Sequence, residues 1–550
     1  MMKLFEKFRR GKKIQLGRFL FLYTVVILFF LLLAFTAFEN LDSIGALFRT
    51  EETPDELLQK EEIRAIREAL DGTKGTDLPV KASDVRIWGA HEDALLLLEN
   101  QLKGMKIPFS KEAELDKCAG AEVLFICENE FTGEQINWLL RSRQDGMTLI
   151  FTDLPAKAYL QDKDMQELLG IEAYTGNEEK TGIRLTGRIL FGTMKESEID
   201  YTLESVVLGQ RTEVYASALQ EDSGGAVPEP EELAPVFWRY HAGKDAGNVY
   251  VADQILMENR TGQAVVSFLF QEIYHTYMYP VVNAYCFLIA GMPYVENHSS
   301  DYLQSVYGRD ALGTENDIFF PELRRCEDRY GLTATWYSQE NEAVQQSDNP
   351  LIKYYLKNIK EKGDLIGEWD VHSGAMWLDG IFPNCLKAWD GAFQWMNGRT
   401  VQIPYNTSSD EDYRSILLQD LSGARGTGFN SVLVDMTQFL DENSNADWIS
   451  FAKDLETVLG VEQEEIFWLD RVTVEEAIYR ILSFEVMEPE IVYGGDAVDI
   501  RIGNFTGAAY FYLCTSEEII QTENAHAACI ADGIYLVEVT AETAKIYLED

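Results

Sequence analysis

Histidine is scarce in this chain of 550 residues: there are six, scattered, which leaves little material for a metal site. Cysteine is nearly as sparse. The seven include no Cys-x-x-Cys pair, so a structural zinc module is not supported, and the odd count excludes a fully paired disulfide framework. Cys127, Cys286 and Cys514 lie in apolar, strand-like runs and read as core thiols. A bridge between Cys514 and Cys529 is left open. Positive charge is also short: 47 Lys and Arg stand against 91 Asp and Glu, a formal net charge of −44. That balance excludes nucleic acid and anionic lipid as partners of the body. It suits a cationic partner, or solubility alone. No internal repeat or low-complexity tract is visible. Four Asn-x-Ser/Thr triplets, at Asn259, Asn297, Asn406 and Asn504, matter only in a host that glycosylates them. A hydrophobic content of 46% is that of a packed body, and the length calls for several domains.

The most distinctive stretch is Phe19 to Phe38, an almost unbroken apolar run. About 20 such residues cross a bilayer core as a helix, the form that satisfies its own backbone groups in lipid. Seven Lys or Arg and one Glu precede it, and Glu39, Asp42, Glu51, Glu52, Asp55 and Glu56 follow. Positive residues stay on the cytoplasmic side, so residues 1–18 are expected inside, 19–38 as a transmembrane helix in the plasma membrane, and the body outside the cytoplasm. The alternative, a cleaved signal peptide, calls for a shorter apolar core and a small-x-small site, whereas Phe35 stands two positions before Ala37. Residues 39–82 read as stalk and linker, with Thr53-Pro54-Asp55-Glu56 opening a helix.

From residue 83 to 278 strands and helices alternate. Strands are expected at Val85–Trp88, Ala121–Cys127, Met147–Thr152 and Gly247–Val251. Helices are expected at His91–Lys103, Phe131–Gln144 and Ala264–Ile273. Thr132 with Gln135 forms a capping-box pattern, and Glu221–Pro235 reads as an exposed loop. Short apolar strands separated by such helices indicate an α/β domain with a parallel sheet. Val281–Ile289 opens a second series over 279–485, with strands at Thr333–Tyr337, Gly363–Trp369, Thr400–Pro404 and Ser431–Asp435 and helices at Phe319–Tyr330 and Pro350–Lys362. Repeated units of this kind suit a β/α barrel. From 486 to 550 the helices stop, and short strands read as a β-sandwich.

Val281-Val282-Asn283-Ala284-Tyr285-Cys286-Phe287-Leu288-Ile289, Asn316-Asp317-Ile318-Phe319-Phe320-Pro321-Glu322-Leu323 and Tyr330-Gly331-Leu332-Thr333-Ala334-Thr335 resemble a group of membrane-anchored polysaccharide deacetylase-like proteins found with exopolysaccharide systems, including the Pel system of Gram-positive bacteria. The resemblance implies a flavodoxin- or amidotransferase-like α/β domain followed by a deformed barrel of the NodB type. It also implies zinc chemistry: one Asp and two His hold the metal, which activates a water, and a second Asp takes its proton. The two aspartates follow the first barrel strand, where this chain has Ala290-Gly291-Met292-Pro293. The paired histidines have Trp369 and Ser373 in their place, with His372 one position off. The later motifs read Gln402-Ile403-Pro404-Tyr405-Asn406 and Val434-Asp435-Met436-Thr437, the last without histidine. The first domain lacks a Gly-x-Cys-x-Gly nucleophile turn, so amidotransferase chemistry is not expected.

These departures point to a non-catalytic, deacetylase-like ectodomain that needs no cofactor and binds exopolysaccharide or other membrane biosynthesis proteins. The candidate groove residues are Tyr294, Glu296, His298, Trp369, Asp370, His372, Tyr405, Asn406 and Asp435. Tyr294, Trp369, Trp377 and Tyr405 are candidates for stacking on sugar rings, against the reading that they pack the barrel. Two alternatives stay open: an active deacetylase with zinc on rearranged ligands near Asp370 and His372, and a sensory or scaffolding ectodomain without a sugar site.

Overall fold

The structure is a computed structural model. It describes residues 84–549 except 193–194, 221–232, 245, 294–299, 339–343, 345–346, 371–374, 378–383, 389–392, 397–399, 408–412 and 441–445. Between 368 and 407 it describes backbone only, Phe393 apart. The expected anchor, stalk and acidic loop therefore lie outside the described residues. Among the described residues no helix is long and apolar enough to cross a membrane.

The first module is built on β1 (Val85–Gly89), α1 (Glu92–Gly104), β2 (Ser110–Glu112), β3 (Val123–Cys127), α2 (Gly133–Gln144), β4 (Thr148–Phe151), α3 (Lys163–Leu169), β5 (Ile171–Leu185), β6 (Lys195–Leu208), β7 (Thr212–Leu219), β8 (Pro235–His241), β9 (Asn248–Ala252) and α4 (Asn259–Ile273). One nine-stranded sheet runs β2-β1-β3-β4-β9-β8-β7-β5-β6. The first five strands are parallel and the rest antiparallel. All five residues of β3 are buried, as a parallel strand covered on both faces requires. Thr132 caps α2 reciprocally with Gln135, so the capping box forms as its sequence pattern requires.

The second module follows β10 (Thr276–Val281) and holds β11 (Ala284–Ala290), α5 (Phe320–Tyr330), β12 (Ala334–Ser338), α6 (Pro350–Lys362), β13 (Leu365–Asp370), β14 (Ala375–Trp377), β15 (Asn384–Ala388), β16 (Gln394–Met396), β17 (Thr400–Thr407), α7 (Tyr413–Thr427), β18 (Phe429–Asp435), α8 (Trp448–Glu465) and α9 (Val474–Val486). Where one strand was expected over Val281–Ile289 there are two, because Asn283 takes φ 56° and breaks the run. The sheet order is β15-β14-β13-β12-β11-β18-β17-β16, and a further pairing of β15 with β17 closes it on itself. β11, β12, β13, β17 and β18 run parallel, so their C-terminal ends share one mouth.

The last strands are β19 (Glu488–Tyr493), β20 (Ala497–Gly503), β21 (Ala509–Thr515), β22 (Glu518–Glu523), β23 (Ala525–Ala531), β24 (Ile534–Val539) and β25 (Thr543–Glu549). They make a β-sandwich of two four-stranded sheets, β10-β21-β24-β23 and β19-β20-β25-β22. Its first sheet thus borrows β10 from before the barrel, antiparallel to β21. Cys514 on β21 and Cys529 on β23 pair with opposite edges of β24, two strand spacings or about 9.6 Å apart, too far for a bridge. Both are free thiols, one buried and one exposed.

The modules interlock through side chains. Lys106 Nζ donates to the carbonyls of Glu485 and Met487 at the end of α9, at 3.0 and 3.1 Å. Phe191, in the β5–β6 connection, packs edge-on against Trp468 with centroids 4.5 Å apart. Arg260 on α4 enters the barrel side, where its Nη1 donates to Asn430 Oδ1 at 3.0 Å.

Candidate barrel-mouth site

A parallel β/α barrel presents its functional groups at the C-terminal ends of its strands, because the loops that follow converge there. Register places Ala290, the last residue of β11, between Tyr337 on β12 and Asp435 on β18. Glu368 lies opposite Ser338, so Trp369 and Asp370 run one and two residues past the end of β12. Asn406 lies opposite Val432, and Tyr405 opposite Ala388 on β15. The strands thus bring Trp369, Asp370, Tyr405, Asn406 and Asp435 to one end of the ring. Tyr294, Glu296, His298 and His372 lie outside the described residues.

The backbone around Ala290 is tightly tied. Gly291 N donates to Tyr337 O at 2.8 Å, and Met436 N to Ala290 O at 3.0 Å. Gly291 takes φ 84° and the Met292–Pro293 bond is cis. Ser338 Oγ, itself buried, donates to Pro293 O at 3.0 Å. Sequence reasoning passed over Tyr337 and Ser338, although they end an apolar strand, which is where mouth residues belong.

Asp435 is half-buried and holds its own loop. Its Oδ1 accepts from Thr437 N at 2.9 Å and from Thr437 Oγ1 at 2.6 Å. Its carbonyl accepts from Gln438 Nε2 at 2.9 Å. A carboxylate holding two such donors is a turn-forming group first. In the loops that follow, Tyr307 Oη donates to Phe439 O at 3.2 Å, and Phe319 packs against Trp448 with centroids 4.8 Å apart. Aromatic side chains thus tie the segment after β11 to the segment after β18.

Zinc of the kind a deacetylase barrel implies needs three protein ligands. Ala290 and Gly291 offer none on β11. Among the described residues no group of three or more His, Cys, Asp or Glu side chains gathers closely enough to hold a metal. At the end of β11 the described residues therefore offer no ligand for such a metal.

No protein-family pattern matches the sequence, and no curated protein matches it. Among solved structures the chain is similar to Agd3, described as a novel carbohydrate deacetylase, at a TM-score of 0.50 and 10% identity, over 85% of this chain and 99% of that one. It shares a deacetylase-like fold with that protein. A β-galactosidase from Bacillus circulans sp. alkalophilus overlaps 34% of this chain and 31% of its own at a TM-score of 0.26 and 12% identity.

Proposed function

We propose that this chain is an extracytoplasmic carbohydrate-binding protein with a deacetylase fold, anchored in the plasma membrane by residues 19–38 and serving exopolysaccharide assembly. The observation that carries the reading is the conjunction of that fold, matched along nearly the full length of a carbohydrate deacetylase, with Ala290-Gly291 at the strand end where a carboxylate pair would act. A groove can hold sugar by stacking and hydrogen bonds without catalysing anything. Trp369 and Tyr405 are the candidates for the first, and Asn406 and Asp370 for the second.

The test uses the full chain in detergent micelles. Oligomers of N-acetylglucosamine are expected to bind saturably and to be released unchanged. Zinc is expected to bind no more tightly than about 100 μM, where the standard free energy is only about −5.5 kcal/mol. One-to-one micromolar zinc binding that disappears in His372→Ala, together with acetate release, would overturn the non-catalytic reading in favour of rearranged ligands near Asp370.

A further inference from the structure

A strand at the edge of a sheet leaves one row of backbone N–H and C=O groups without a partner. Folded proteins block such rows with charge, proline, a bulge or a covering element. Among the described residues the three open sheets end in β2 and β6, in β10 and β23, and in β19 and β22. β2 carries Lys111 and Glu112, β6 carries Glu198 and Asp200, and β22 carries Glu518 and Glu523. β19 opens on Glu488, Pro489 and Glu490. β10 holds Pro280 and is covered, since Met278 N donates to Tyr493 Oη at 2.9 Å.

β23 is the exception. It reads Ala525-His526-Ala527-Ala528-Cys529-Ile530-Ala531, with no Asp, Glu, Lys, Arg or Pro in a chain that is 25% charged. Its ladder with β24 stays in register from Ala525↔Val539 to Cys529↔Tyr535. The register shifts only after Cys529, before Asp532-Gly533 turns the chain with Gly533 at φ 67°. Ala525 and Ile530 are buried, and His526, Ala528 and Cys529 between them are exposed. Every second residue of an antiparallel strand directs both its N–H and its C=O to the same side, so about two or three residues of this regular run face outwards. No strand among the described residues pairs with that side.

A row of backbone groups is matched by another extended chain, which selects a polypeptide over a sugar as the occupant. The balance of charge selects which polypeptide. At a formal net charge of −44, two copies of this chain repel over most of their surface, so a contact between copies must fall where charge is lacking. A cationic partner is drawn to the acids and gains nothing from a strand that has none. A strand laid antiparallel to its own copy presents the same patch from both sides, which closes the contact on a two-fold axis. We infer that β23 is a docking edge for β23 of a second copy, so that the sheet β10-β21-β24-β23 continues across the two-fold into the partner. The inference stands independently of the barrel mouth.

The test is the protein mass of the full chain in density-matched detergent micelles, measured by sedimentation up to about 100 μM. At that concentration a dimer with a dissociation constant of about 100 μM is half formed. The mass is expected to rise above that of one chain, 62.5 kDa, and to approach twice that value with concentration. Ala528→Lys and Cys529→Lys, each at an exposed position, bring like charges together across the two-fold. Each is expected to weaken association at least about tenfold while thermal unfolding stays unchanged. Both lower the overall negative charge, so general repulsion cannot account for the loss. Ile520→Lys, at a side chain 56% exposed on β22, is the control and is expected to associate like the parent chain. The inference is overturned if the parent chain keeps the mass of one copy, if both folded lysine variants of β23 associate like the parent, which would place the contact elsewhere, or if Ile520→Lys dissociates the dimer as well.

Discussion

Arg260 and Asp420, on helices of two different modules, face each other 3.9 Å apart with both side chains essentially sealed from solvent. Arg260 also donates to Asn430, whose Nδ2 donates to Glu462 Oε1 at 2.6 Å, and Tyr285 Oη donates to Glu462 Oε2 at 2.7 Å. Burial raises the Glu462 carboxyl, and its hydrogen bonds with Tyr285 and Asp420 oppose the rise. Removing one partner from such a group leaves a buried charge uncompensated. Arg260→Met is expected to destabilise the chain by about 3–5 kcal/mol in denaturant unfolding. Adding Asp420→Asn should recover part of the loss.

A second buried group carries a pH dependence. Glu327 is pushed up to about 7 by burial and by Asp364, against the pull of Arg324 and Lys362. Because the folded value lies above the unfolded one, its contribution to stability is fully present below about 4.5 and is lost as pH rises through about 7. Unfolding free energy measured from pH 5 to 8 is expected to fall, and Glu327→Gln is expected to remove that component of the fall.

Lys106 closes the end of α9 from another module. Lys106→Met keeps much of the apolar stem and deletes both hydrogen bonds, leaving the carbonyls of Glu485 and Met487 without this donor. A loss of about 1–3 kcal/mol is expected, read as a lower denaturation midpoint with unchanged slope.

At the start of α2, Thr132→Ala removes a reciprocal cap. About 1 kcal/mol of destabilisation is expected by the same measurement, and Thr132→Ser should restore most of it.

What could be read from the sequence was what is written locally. Thr132 with Gln135 announces a helix start, and Asn349-Pro350 with Gly363 brackets α6 as its cap, first turn and left-handed stop (φ 88°) require. Apolar runs such as Val123–Cys127 announce buried parallel strands. The mouth was legible only as a set of strand ends, since Asp435 gives no sign in sequence that Thr437 will occupy its carboxylate. Pairings between distant segments were not legible either. β14 and β16 are too short to show a period, and nothing in Thr276–Val281 names β21 as its partner. The partners of Asp420, Arg260 on α4 and Glu462 on α8, come from distant places in the chain.

The placement of β10 has a consequence for how the chain is made. Its partner runs Thr276↔Thr515 to Val281↔Tyr510, so a ribbon emerging early from the ribosome waits for one emerging near the end. Loop closure over such a separation is slow. Until it happens, the barrel's first strand hangs from an unmatched edge, open to wrong partners and to proteases. A cut made just before Glu488 would therefore strip away the other half of a sheet that began before the barrel, and what remained would be an unfinished protein rather than a smaller one.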